Sequence, residues 1–209
     1  MIIALCGFIG SGKDTVADYL VNFHEFRRES FANSLKDAVA AVFGWDRLML
    51  EGRTKESRAW REQRDEWWSD RLGMNITPRF VLQNWGTEVL RGKFHDDIWI
   101  ASVENKIRNS KDHIVITDCR FQNEIRAIKK AGGVVVRIKR GKEPDWYQIA
   151  YDANIGKSGA AGKLVYRNIH ESERAWIGPD IDYVLDNDGT IEELYSSIKD
   201  LVLSLPDAK

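Results

Sequence analysis

Cysteine is nearly absent from this chain. Cys6 and Cys119 are the only two in 209 residues, and each ends an apolar run instead of standing in a metal-ligand spacing. A disulfide framework or a cysteine-built zinc site is therefore not expected, whereas buried thiols in a reducing compartment are. A charge excess is missing as well. The 31 basic residues face 32 acidic ones for a net charge of −1, so no global field recruits nucleic acid or an anionic membrane, and anion selectivity must be local. No apolar run approaches the roughly 20 residues of a membrane-spanning helix. Met1 leads straight into the first apolar run without a charged leader, so a cytoplasmic protein is expected. Internal repeats and low-complexity tracts are lacking too. The length suits one well-buried domain over residues 1–209 with inserted helices and a mobile flap, and is too short for two large domains.

What the chain does have is a glycine-rich turn at the end of an apolar run. Gly7, Phe8, Ile9, Gly10, Ser11, Gly12, Lys13, Asp14 and Thr15 follow the run 2–6 and precede the helix-patterned residues 16–20. Glycines let backbone N–H groups turn toward an anion, a helix N-terminus adds positive dipole, and a lysine placed like Lys13 reaches the outer phosphates of a nucleotide. The form Gly-x4-Gly-Lys-Ser/Thr is missed by one place, because Asp14 stands at the hydroxyl position and Thr15 comes next. The Mg²⁺ ligand is open between those two.

Apolar periodicity predicts helices over 13–23, 33–43, 78–90, 97–107 and 122–131, with a last one capped by Thr190; Leu35, Ala38, Val39 and Val42 share a face of the second. Strand patterns occupy 2–6, 26–31, 113–117, 134–138 and 182–185. This alternation implies an α/β fold, a mostly parallel sheet of about five strands with helices on both faces. Residues 53–71, with six basic and five acidic side chains, read as one charged helix rather than a basic patch. Between 140 and 179 the pattern weakens, and the length favours a functional excursion.

In such sheets ligands bind beyond the carboxyl ends of strands. Two ends carry chemistry: residues 7–15, and Asp118 with Arg120 after the strand 113–117. A carboxylate beside a phosphate loop holds Mg²⁺ through water, and a guanidinium two residues on grips phosphate oxygens bidentately. The plainer alternative has Asp118 capping the next helix and Arg120 solvated. Trp60, Trp67 and Trp68 form a helical stripe that fits core better than a base platform. Arg58, Arg61 and Arg64, three apart, form either a phosphate-facing row or a solvated face paired with Glu62, Asp65 and Glu66, the latter favoured for at least two of them. His170 with Glu171 and Glu173 lacks the partners of a metal cluster and fits a flap-borne substrate or phosphate contact.

Five blocks in order carry a family resemblance: Ser11-Gly12-Lys13-Asp14-Thr15, Leu35-Lys36-Asp37-Ala38, Leu82-Gln83-Asn84-Trp85-Gly86-Thr87, Asp118-Cys119-Arg120 with Asn123-Glu124, and the stretch opened by Asn187-Asp188-Gly189-Thr190. In these the chain resembles the bacteriophage deoxynucleoside monophosphate kinases of the T-even type, within the P-loop kinase superfamily, which share the Gly-Lys-Asp-Thr sequence. The resemblance implies a three-layer P-loop kinase fold with an acceptor-binding helical insertion at about 45–95 and a flexible lid at about 140–179 that includes Arg140, His170 and Glu173. It implies that Gly10, Ser11, Gly12, Lys13, Asp14, Thr15, Asn187 and Gly189 serve ATP, with Thr15 or Asp14 on the metal. Lys36, Arg79, Gly86, Thr87, Trp99, Asp118, Arg120 and Glu124 are implied to surround the acceptor deoxynucleotide.

The expected activity is Mg²⁺-dependent transfer of the ATP γ-phosphoryl group to a deoxynucleoside 5′-monophosphate, with Lys13, Asp118 and Arg120 at the reaction. The expected partners are those two nucleotides, without nucleic acid or membrane, in host cytoplasm if the gene is of phage origin; a homodimer is left open. The alternatives are another small-molecule P-loop kinase, acting on dephospho-coenzyme A or a nucleoside, and a P-loop GTPase or switch. The last is weak: Asp186-Asn187-Asp188-Gly189 lies far past the loop, and Asn105-Lys106-Ile107-Arg108 lacks the Asp that would read guanine.

Overall fold

The computed structural model describes residues 1–165, 169 and 171–206. The strands β1 (Ile2–Cys6), β2 (Phe26–Glu29), β3 (His113–Ile116), β4 (Val134–Lys139) and β5 (Tyr183–Asp186) form one sheet in the order β2-β3-β1-β4-β5. Every pairing is parallel, so the sheet is wholly rather than mostly so. A parallel sheet must be covered on both faces. Along β1 the side chains alternate: Ile3 and Leu5 join a core with Val16, Ala17 and Leu20 of α1 (Lys13–His24) and Leu194, Ile198 and Leu201 of α11 (Ile191–Ser204). The opposite face takes Ala4 and Cys6, and α7 (Gln122–Lys130) packs on β1 and β4 there with Ile125 and Ile128 buried. Both cysteines are buried free thiols, as expected.

Contacts divide the chain into two compact units, Met1–Ser30 with Val103–Lys209, and Phe31–Ser102. The first holds the sheet. In it, the weakly patterned stretch after β4 forms three short helices, α8 (Tyr147–Asn154), α9 (Ala160–Val165) and α10 (Glu171–Arg174). The second unit is helical: α2 (Asn33–Phe43), a 3₁₀ turn at Met49–Glu51, α3 (Lys55–Glu62), α4 (Glu66–Leu72) and α5 (Pro78–Gln83). A π-wound stretch, Asn84–Phe94, continues α5 where a plain α-helix to residue 90 was expected, and α6 begins in this unit (Ile98–Arg108). Among the described residues no helix is long and apolar enough to cross a membrane.

Two expectations need correction in the second unit. The charged helix at 53–71 is two helices, broken where Gln63 turns extended and Asp65 caps α4 by accepting from the Trp68 N–H. No Gly or Pro marks this break, only an N-cap aspartate. In α2 the buried stripe is narrower than expected, with Leu35 and Val39 buried but Ala38 and Val42 exposed. Tryptophan supplies the core here. Phe43 stacks on Trp45 at 4.5 Å and meets Trp68 and Trp85, while Trp60 meets Trp45 edge-on. Trp45 donates to Asp65 and Trp68 to the Phe43 carbonyl, which satisfies both buried indole N–H groups. Trp67 stays largely exposed.

Candidate active site

Chain order reverses about β1, which lies between β3 and β4, so its carboxyl end is the topological switch point of the sheet. The phosphate loop leaves from there. Gly7 sits at φ 139°, and a Cβ on it would press into the Ile138 carbonyl of β4; only glycine lets the loop cross so close to the neighbouring strand. Gly12, at φ 103°, opens α1 with no side chain capping the first N–H groups, which leaves them and the helix dipole to an anion. The loop is braced from inside. Ser11 is buried and its N–H donates to the Phe8 carbonyl at 3.2 Å, while its own carbonyl accepts from Asn187 Nδ2 at 2.8 Å. Gly10 stands open at φ 79°.

Lys13 folds back over the loop, its ammonium donating to the Gly7 and Phe8 carbonyls at 3.0 and 2.8 Å. Burial, and then the Arg120 guanidinium, hold its pKa below the ordinary lysine value. A phosphate would answer both. Parallel pairing of Ala4 with Ile116 puts the end of β3 beside the loop. There Asp118, Cys119 and Arg120 line a cleft of about 210 Å³ together with Gly7, Phe8, Ile9 and Lys13. Ser172, Glu173 and Trp176 close its remaining side. So Lys13, the neighbouring Asp118 and Arg120, and Glu173, three places far apart in sequence, share one cavity. Arg140 is exposed and does not line it, and His170 lies outside the described residues.

Glu124 takes a different place from the others. It is 2% exposed, and its carboxylate accepts the N–H groups of Arg120 and Phe121 at 2.8 and 3.1 Å. It therefore fixes the backbone that aims Arg120 rather than facing the cleft. Asn187 and Gly189 belong to the turn after β5. Asn187 clamps the loop as described, and a Cβ on Gly189 would collide with Glu193, whose carboxylate accepts the Thr190 N–H in the cap of α11. Asp14 points its carboxylate at Arg28, 3.3 Å away, from the exposed side of the first turn of α1, and Thr15 is half-buried on the same turn.

The sequence reading missed the aromatic wall and its buried cation. Phe8 of the loop meets Trp146, Tyr147 and Trp176 with ring centroids 5.1 to 6.2 Å apart. Arg137 of β4 is buried beneath them, donating to the Tyr147 hydroxyl at 2.7 Å and to Glu143, with its guanidinium over the Tyr147 and Trp176 rings. One sequence signal was there: an arginine inside an otherwise apolar strand.

The other site residues implied by resemblance lie in the helical unit. Lys36 pairs with Glu51 at 2.7 Å and Arg79 with Glu62 at 3.3 Å. Gly86 is buried in the π-wound stretch and Thr87 is exposed on it. Trp99 is 7% exposed, and its indole N–H donates to the Gly86 carbonyl at 2.9 Å. Its ring is thus packed, not an open face.

No family model matches the chain. Among proteins of known name, it is 29% identical over 59% of its length to the deoxynucleoside-5′-monophosphate kinase of Escherichia phage T5, covering 70% of that protein. A solved shikimate kinase from Bacteroides thetaiotaomicron superposes over 98% of this chain and 99% of that one, with 14% identity and a TM-score of 0.45, too loose a likeness to add to the fold described. The chain is also 31% identical to an Acanthamoeba polyphaga mimivirus protein named as a deoxynucleotide monophosphate kinase, over 95% of this chain and 94% of that one. Identity sustained across nearly the whole of both chains reaches far beyond a shared loop, and the chain belongs to the deoxynucleotide monophosphate kinase family.

Proposed function

We propose that the protein transfers the γ-phosphoryl group of ATP to the 5′-phosphate of a deoxynucleoside monophosphate, giving the diphosphate. One observation carries the reading: Lys13 and Arg120, at the ends of adjacent parallel strands, front one cleft with the uncapped start of α1. Phosphoryl transfer asks little covalent chemistry of a protein. The acceptor is already an anion, so no general base is needed, and positioning with charge neutralisation supplies the rate. In this reading Lys13 swings from the loop carbonyls to the outer phosphates of ATP, and Arg120 grips the oxygens being transferred. Ser172, Glu173 and Trp176 of the lid keep water away.

The donor set fits Mg²⁺. It is a hard cation that takes one or two carboxylates together with phosphate oxygens, and Asp14, Thr15 and Asp118 offer oxygens at the head of α1 and in the cleft. Because Arg28 draws the Asp14 carboxylate aside, Thr15 and Asp118 are the favoured residues to hold it. When bound, Mg²⁺ would neutralise charge on the phosphate oxygens. The acceptor contacts are assigned to Lys36, Arg79, Gly86 and Thr87, with Trp99 acting through Gly86. The working compartment is taken to be the cytoplasm.

A coupled assay of ADP release across the eight common nucleoside monophosphates tests this. Turnover with one or more deoxynucleotides is the expected result. Turnover with none of them, but with dephospho-coenzyme A or a nucleoside, would replace the reading with another small-molecule kinase.

A further inference from the structure

Stability alone gives no reason for a cation behind the aromatic wall of the cleft. Arg137 is 7% exposed between Val136 and Ile138 of β4, and its buried Nε has no hydrogen-bond partner among the described residues. A well-packed hydrophobic side chain of similar volume is often as stable in such a place, or more so. What the guanidinium adds is direction. It lies over the Tyr147 ring at 4.6 Å and the Trp176 ring at 5.3 Å, donates to the Tyr147 hydroxyl and pairs with Glu143. A cation drawn to a ring face sets the tilt of that ring, which contact among apolar side chains does only weakly.

Trp176 carries this constraint to the cleft, which it lines. Its indole N–H donates to the Glu173 carbonyl at 2.8 Å, and its ring meets that of Phe8 at 5.1 Å, inclined by 71°. The backbone around it is tied as well. Gln122 donates to the Ala175 carbonyl at 3.0 Å, and Asn154 to the Arg174 and Ile177 carbonyls at 2.8 and 2.6 Å. Phe8 leads on into the phosphate loop, because its carbonyl accepts from both the Lys13 ammonium and the Ser11 N–H. A continuous series of contacts thus runs from Arg137 through Trp176 and Phe8 to Lys13.

We infer that Arg137 is a positioning residue for phosphoryl transfer: it holds Trp176 against Phe8, so that this wall of the cleft and the phosphate loop keep one geometry and water stays off the phosphoryl group. The role rests on the kinase reading above, and it falls to a residue that does not itself line the cleft.

Removing the cation alone would strand Glu143, so the variant to make is Arg137→Met with Glu143→Gln, which nearly keeps the volume and leaves neither charge of the pair. Two rates are read in each protein: phosphoryl transfer to a deoxynucleoside monophosphate, and, without acceptor, hydrolysis of ATP to ADP and inorganic phosphate. Loss of folded protein lowers both alike, so their ratio reports the site and not the fold. The ratio of hydrolysis to transfer should rise about two- to thirtyfold, the range of one cation–π contact, with little change in the KM for ATP. Phe8→Leu should raise it in the same way with the cation in place, and combining the changes should give less than the product of the two effects. Arg137→Lys, which keeps a positive charge beside Glu143 but loses the planar fork, should fall between parent and double variant. An unchanged ratio in the Arg137 variants, or effects fully independent of Phe8→Leu, would overturn the role.

Amide hydrogen exchange over residues 171–177 gives a readout that needs no turnover. It should quicken by a similar factor in the double variant while exchange over α11 stays as in the parent. If the parent phosphorylates no monophosphate, the kinase reading fails instead, and exchange decides alone whether Arg137 holds Trp176: faster exchange confined to 171–177 keeps that contact, and unchanged exchange refutes it.

Discussion

Asn187 Nδ2 donates to the Ser11 carbonyl at 2.8 Å, tying the turn after β5 to the phosphate loop after β1. The amide lies directly over Gly12, so the loop conformation and the clamp depend on each other. Asn187→Ala should raise the KM for ATP several-fold through loss of one hydrogen bond, about 0.5–1.5 kcal/mol. Gly12→Ala should do more, adding about 1–2 kcal/mol of left-handed strain and displacing the amide as well. In the double mutant the two effects should sum to less than their separate values, which steady-state kinetics on all four proteins will read.

On the proposed function, Lys13→Ala should reduce turnover by at least about a hundredfold while the fold persists, because its ammonium bonds loop carbonyls rather than packing in the core. Circular dichroism and turnover are to be measured together. Parallel loss of helix signal would make Lys13 structural.

The depressed Lys13 pKa has a pH signature. In the free protein burial and Arg120 favour the neutral amine, whereas bound phosphate favours the ammonium, so the pKa rises on binding. Between the two values nucleotide binding takes up a proton, and affinity should fall as pH rises through that window. Titration of a non-hydrolysable ATP analogue at several alkaline pH values checks this; in Lys13→Arg the same window should be nearly flat.

Arg120 and Glu124 should separate activity from stability. Arg120 is exposed, and Arg120→Lys should cost about one to three orders of magnitude in kcat with Tm unchanged. Buried Glu124 holds the Arg120 and Phe121 N–H groups, so Glu124→Gln should lower stability by about 1–3 kcal/mol and kcat with it. Urea unfolding and kinetics on both variants decide the matter.

Neither thiol should react in the folded protein. Burial pushes Cys6 up to about 12 and Cys119 well above its ordinary value, so at pH 8 almost no thiolate is present. A colorimetric thiol reagent should label both residues only after denaturant is added. Rapid labelling without it would show that the carboxyl ends of the interior strands β1 and β3 open.

The architecture was legible because β1, β3 and β4 are short apolar runs between amphipathic helices, and glycine positions in the phosphate loop announce backbone conformations that other residues avoid. Asp118 and Arg120 could be singled out by one rule, that strand ends carry ligands in such sheets. Local chemistry alone sufficed for these, since each signal lies within a dozen residues of chain. Burial partners are not local. Whether Trp99 shows a face to a base or donates into the π-wound stretch depends on where Gly86 comes to rest, and an indole is suited to both. Glu124 reads the same in sequence whether it faces a ligand or braces a backbone. The break at Gln63, the pairing of Arg64 with Glu66 and Asp70, and Arg137 beneath the Phe8 wall were settled only when distant side chains met, because pairing and desolvation are properties of neighbours in space.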